Sequence, residues 1–300
     1  MNRKGWTALL ILVCCFLAVA AQAQTVRPNG TNMVPTGKGY GVHAPTLGAK
    51  RRHYGGGNGI SYHGGPVLVN GVNVYYIWYG NWSGNSAVNI LTDLANGIGG
   101  SSYFNINTTY YNGSNVHVLN SVTYQGSTTD SYSHGTSLSD SAIQSIVSSA
   151  ISSGALPKDT NGVYFVLTSS DVNESSGFCT QYCGWHTHGT ISGSDIKYSF
   201  IGNPDRCPSA CSVGQAPNGN AGADGMASII SHELEEATTD PDLNAWYDNT
   251  GYENADKCAW TFGTTYGSSG ALYNMSFGGR NWLIQQNWVN ASGGYCSVSY

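Results

Sequence analysis

The residues best suited to chemistry lie in one stretch, Ser231 to Pro241. His232 and Glu236 stand four apart, so a helix sets them one above the other on one face, with Glu233 beside them. This is the spacing of the His-Glu-x-x-His zinc helix, with glutamate in place of the second histidine. In such a helix the first and last members bind a divalent ion. The glutamate after the first histidine takes a proton from metal-bound water. The competing reading is a solvated acidic face. Against it, the whole chain has only 17 acidic residues, yet Glu233, Glu235, Glu236 and Asp240 crowd around one histidine.

A catalytic site of this type takes three protein ligands and leaves one position for water. Downstream, Glu253 and Asp256 are the nearest carboxylates. Glu253 is favoured as the third ligand, and Asp256 would then hold the His232 ring from outside. Asp240, four residues past Glu236 on the same face, is the rival. The helix type makes zinc the first expectation, but two carboxylates and one imidazole make a harder, more anionic set that favours manganese, magnesium or calcium relative to zinc. Asp240-x-Asp242-x-Asn244, with Asp248 beyond, resembles the start of a calcium loop but lacks its sixth-position glycine and twelfth-position glutamate.

His186 and His188 add two imidazoles, and on a strand they would share a face. His186 would then join the ion or donate a hydrogen bond to a reacting carbonyl. An ordinary loop beside a disulfide is the plainer alternative. No nucleophile elbow, phosphate loop or dinucleotide fingerprint occurs, so acyl-serine and nucleotide chemistry have no support.

These side chains need a frame. Asp224 is a plausible N-cap for the metal helix, Met226, Ile229, Ile230 and Leu234 form its apolar stripe, and Pro241 ends it. Val72 to Tyr79 is β-branched and aromatic and predicts a buried strand. Ala87 to Ile98 has helical spacing. Tyr103 to Tyr111 and Val116 to Tyr124 predict strands around an Asn112-Gly113 turn. Ser139-Asp140 opens a helix that ends near Gly154. Val163 to Leu167 predicts a central strand, and Ile196 to Ile201 one nearer an edge. The order predicts a mixed α/β fold: a sheet backed by helices, with an irregular C-terminal cap stapled by Cys258 and Cys296. Tyr273 to Phe277 and Trp282 to Gln286 are at most short strands.

Residues 1–23 have the basic start, apolar run and Ala-x-Ala end of a signal peptide. Residues 24–59, rich in Pro, Gly and basic residues, predict an extended leader or pro-segment with Arg51-Arg52 as a processing site, and residues 60–300 one domain. The exported chain should be secreted and extracellular, with no membrane span once the signal is removed. A net charge of −5 with only 10% charged residues argues against nucleic acid. Cys179, Cys183, Cys207, Cys211, Cys258 and Cys296 lie outside the signal. An even number in an exported chain implies disulfides, with the pairing open. Zinc binding by the two Cys-x-x-x-Cys pairs is the weaker reading.

Several segments together resemble the phosphate-induced protein 1 family, which includes the plant exordium proteins. They are Tyr62-His63-Gly64-Gly65-Pro66, Ile77-Trp78-Tyr79-Gly80, Tyr164 to Val172, Phe178 to His186, Cys207-Pro208-Ser209-Ala210-Cys211, Pro217 to Met226, Glu253 to Cys258, and Cys296. Plant members are extracellular or cell-wall proteins linked to growth. The His-Glu-x-x-Glu helix sets this chain apart from them and resembles a non-plant branch that retains it, which implies a zincin-like fold. Two functions follow as expectations. One is a secreted metal-dependent hydrolase, most simply a peptidase acting on an extracellular peptide. There His232, Glu236 and Glu253 would be ligands, Glu233 the base and His186 an auxiliary. The other is a non-catalytic extracellular protein that binds cell-wall material or glycan.

Overall fold

Val72–Tyr79 (β1) is buried at every position but Asn73, and Gly162–Thr168 (β3) at every position. Strands apolar on both faces need cover on both sides, which is the condition met by parallel sheets flanked by helices. The computed structural model describes residues 34–38 and 58–300, which fall in one unit, residues 32–300. The proposed signal peptide and the Arg51-Arg52 pair lie outside the described residues.

Between β1 and β3 the chain forms a helix, Ala87–Gly97 (α1), a strand, Val122–Asp130 (β2), and a second helix, Asp140–Ser152 (α2). The Ser139 side chain caps α2 by accepting from the Ala142 N–H. Gly184–Ile191 (β4) and Ser194–Ile201 (β5) then pair antiparallel, before the long helix Ala221–Thr239 (α3). The five strands lie in the order β2-β1-β3-β5-β4, parallel except for β4 at one edge. The fold is mixed α/β, as the order of elements predicts.

Two glycines of β4 show how the layers stack. A Cβ on Gly184 would stand 2.5 Å from Ile229 of α3, and one on Gly189 would stand 2.9 Å from Gln144 of α2. The two positions are five apart and so face opposite sides. His186 shares the α3 side with Gly184.

The long helix begins earlier than Asp224. Asn220 is its cap, accepting from the Ala223 N–H, while the Asp224 carboxylate accepts from Asn218. Residues 104–109 form a 3-10 helix, not a strand. Thr108 and Thr109 hydroxyls donate to carbonyls three residues back, a local bond that competes with sheet pairing. The following strand is displaced to β2.

Cys179–Cys207 and Cys183–Cys211 are disulfides, so the two Cys-x-x-x-Cys pairs are cross-linked to each other and are not a zinc site. Cys258–Cys296 closes the C-terminal cap. That cap includes short antiparallel hairpins, Met275–Phe277 with Arg280–Trp282 and Asn287–Val289 with Tyr295–Ser297. Trp282, Leu283, Ile284 and Val289 from it join the main core.

Candidate metal centre

Helix α3 is buried all round. Nearly every residue from Gly222 to Thr239 is buried, so its acidic residues are not a solvated face. Glu235 and Glu236 are both fully buried, on different sides. Glu235 bonds to Asn287 in the cap, and burial pushes its carboxyl well up. Glu236 turns toward the sheet and the loop after Tyr252.

There the site assembles from three elements. The helix supplies His232, Glu233 and Glu236, strand β4 supplies His186, and the loop and single 3-10 turn at Asp256–Cys258 supply Glu253 and Asp256. His232 Nε2 lies 3.0 Å from Glu236 Oε1 and 3.4 Å from Asp256 Oδ1. His186 Nε2 lies 3.0 Å from Glu253 Oε1 and 3.7 Å from Glu236 Oε2. The Glu236 carboxylate therefore faces one imidazole with each oxygen. Its Oε1 also accepts from the Asp256 N–H at 3.0 Å, tying helix to loop. Gly184 lets the helix approach, because a Cβ there would stand 3.2 Å from Glu233 Oε1.

One ring N–H cannot serve two carboxylates well, yet each histidine presents a single nitrogen to two. That convergence suits an ion. Ligands bonded at about 2.0–2.2 Å around a tetrahedral ion lie about 3.3–3.6 Å apart, and the contacts here span 3.0 to 3.7 Å. Among the described residues three sets bring their donor atoms within 4.8 Å of one another, and two of them are fully buried and share Glu236: His232, Glu236 and Asp256, and His186, Glu236 and Glu253. Buried Glu233 Oε2 and Glu236 Oε2 have no hydrogen-bond partner.

The electrostatics point the same way. Burial, then Glu236, pushes the Glu233 carboxyl well up. Burial, then Asp256, raises Glu236 to about 7, and Glu253 is raised by burial and by its acidic neighbours. Burial lowers His186 to about 3. Burial also works against a charged His232, but Glu236, Asp256 and Glu233 more than reverse it and raise the ring well above its ordinary value. Packing carboxylates this closely without solvent is costly unless positive charge is supplied.

The structure pairs Glu253 with His186, and it is Asp256 that approaches His232. Asp240 stands apart from both sets. Its Oδ1 accepts from the Asn244 and Ala245 N–H groups, closing the turn after α3. Of the calcium-loop candidates, Asp242 pairs with Lys197 at 3.1 Å and Asp248 with Lys257 at 3.0 Å. His188 faces Asp195 at 2.8 Å and Asp242 at 3.6 Å, forming the third, part-exposed set, where Lys197 already supplies a positive charge to both carboxylates.

Asp240 carries a prediction. Burial raises its carboxyl from 3.8 to about 7. Between those values the folded chain binds more protons than the unfolded one, so stability falls as pH rises. The effect is at most about 4 kcal/mol. Asp240→Asn keeps the Oδ1 acceptor without the charge. Its melting temperature should exceed wild type at pH 8 and approach it at pH 4, and an equal gap at both would rule out the ionisation.

Residues 60–297 match the phosphate-induced protein 1 conserved region. The chain is similar to Protein EXORDIUM-like 3 of Arabidopsis thaliana, 31% identical over 99% of this chain and 98% of that protein. It is 34% identical to Protein EXORDIUM-like 5 of the same plant, over 76% of this chain and 75% of that one. Protein PHOSPHATE-INDUCED 1 of Nicotiana tabacum is 27% identical over 63% and 67%. No solved structure matches the chain.

Proposed function

The chain belongs to the phosphate-induced protein 1 family, and from that premise we propose an exported, exordium-type protein whose long helix and C-terminal cap are joined by a closed divalent-cation centre. His232, Glu236 and Asp256 would hold the ion, with His186 and Glu253 against the other oxygen of Glu236. The ion would supply the positive charge that the buried carboxylates need. Zinc is the first expectation, and the carboxylate-rich set also suits manganese or calcium. The counterpart would be an extracellular peptide or cell-wall glycan, met at the surface and not at the ion.

Burial carries this reading. His232, the most open of the ligand residues, is 7% exposed, and Glu233 is 4% exposed. The concavities around Phe178, Ser228 and Phe277 are not lined by the ligand residues or by Glu233. A hydrolytic centre needs an open position for water and substrate. A structural centre is closed, and its metal binding contributes directly to folding.

The unpaired Oε2 of Glu233 favours a second reading, a metallohydrolase with Glu233 as base. Glu233→Gln separates the two. The closed centre predicts that the variant keeps its metal, stays within about 1 kcal/mol of wild-type stability, and matches wild type in cleaving none of a peptide library. Chelator-sensitive cleavage by wild type, lost in Glu233→Gln, would establish the hydrolase instead.

A further inference from the structure

Residues 34–38, ahead of the family region, lie against the free edge of β4. The His186 N–H donates to the Gly37 carbonyl at 3.1 Å. Strand β5 occupies the other side of β4, so this bond lies on the outer edge of the sheet. Gly37 has φ +66°, and a Cβ there would stand 1.9 Å from the His186 carbonyl oxygen. Only glycine fits so close an approach. Pro35 beside it is buried.

Lys38 fills a built site. Its ammonium lies 2.5 Å from Asp140 Oδ2 and 2.7 Å from Ser176 Oγ. It also lies 5.4 and 5.6 Å from the ring centroids of Tyr182 and Trp185. A carboxylate, a hydroxyl and two aromatic faces around one cation make a lysine-selective box. Backbone hydrogen bonding at an exposed edge, with pockets for chosen side chains, is a general means by which sheets recognise peptides.

We propose that the β4 edge and the Asp140–Ser176–Tyr182–Trp185 box form a binding site for peptides that bend at a Gly-Lys pair. The chain's own Pro35–Lys38 fills it in cis, and another chain's Gly-Lys segment takes it when that stretch is displaced. The site needs no bound ion. It meets the cation centre at one residue, because the His186 backbone holds Gly37 while its ring faces Glu253.

A labelled peptide of residues 32–40 tests this by fluorescence anisotropy against the full secreted chain and its Gly37→Val/Lys38→Ala variant. An internal segment competes at millimolar effective concentration. The variant should therefore bind the peptide saturably and at least ~10-fold tighter than wild type does. The same peptide with Lys38→Ala should lose about 5-fold in affinity, since the half-exposed box gives the cation an ion pair and two aromatic faces. No saturable binding to the variant at millimolar peptide would overturn the proposal. So would equal binding by wild type and variant, or by the two peptides. Should the double variant fail to melt cooperatively, Lys38→Ala alone, which leaves the backbone untouched, takes its place with the same expected order of affinities.

Discussion

Removing the ion from wild-type protein with a chelator should lower its melting temperature by about 10 °C, whereas His232→Ala should melt at the same temperature with and without chelator. An ion held at about 1,000 times its dissociation constant stabilises the folded state by about 4 kcal/mol. In a chain of this length each kilocalorie shifts the midpoint by about 2–4 °C. His232 is the residue to change because its Nε2 faces both Glu236 and Asp256, so alanine removes the one imidazole of that set. Comparing each protein with its own chelated form cancels the packing cost of the substitution. An equal chelator effect in wild type and variant would place the ion elsewhere. No effect in either would show that no ion stabilises the fold.

The double variant Cys258→Ser/Cys296→Ser should lose stability and metal affinity together. The bond spans 38 residues, and constraining a loop of that size is worth about 4 kcal/mol on the chain-entropy model. Cys258 ends the 3-10 turn that begins at Asp256. Freeing the turn loosens a ligand-bearing loop that is tied to the helix by the Asp256 N–H bond to Glu236 and the Asn254 side-chain bond to the Glu235 carbonyl. Affinity for zinc, read by competition with a chromogenic chelator, should fall at least ~10-fold, as when supporting groups around a metal are removed. Metal affinity unchanged at lowered stability would show that the loop is positioned without the disulfide.

Much of this arrangement is legible in the residues. Val72 to Tyr79 and Val163 to Leu167 are apolar throughout, which identifies buried strands. Ser139 marks a helix start through its own hydrogen-bonding chemistry. The pairing of His232 with Glu236 follows from helical geometry alone. What the sequence hides is set by distant contacts. Glu235 reads as an exposed position because its partner, Asn287, lies 52 residues away. The order of Glu253 and Asp256 around the two histidines depends on where a loop turns, which helical periodicity does not encode. His186 enters the centre because β4 lies at the sheet edge facing α3, a matter of topology. Asp224 looks like a cap, but Asn220 takes that place and Asp224 instead closes the preceding loop. Nothing in the composition of Val34 to Lys38 marks Gly37 and Lys38 as docked. That follows only from the space beside the His186 carbonyl and the box around the ammonium.

The most direct measurement is elemental analysis of the full chain, purified without chelator, with thermal melts before and after metal removal. A closed cation centre predicts about one equivalent of a divalent metal, retained through dialysis, with the melting temperature falling on its removal. No bound metal, and an unchanged melt after adding zinc, manganese or calcium, would contradict it.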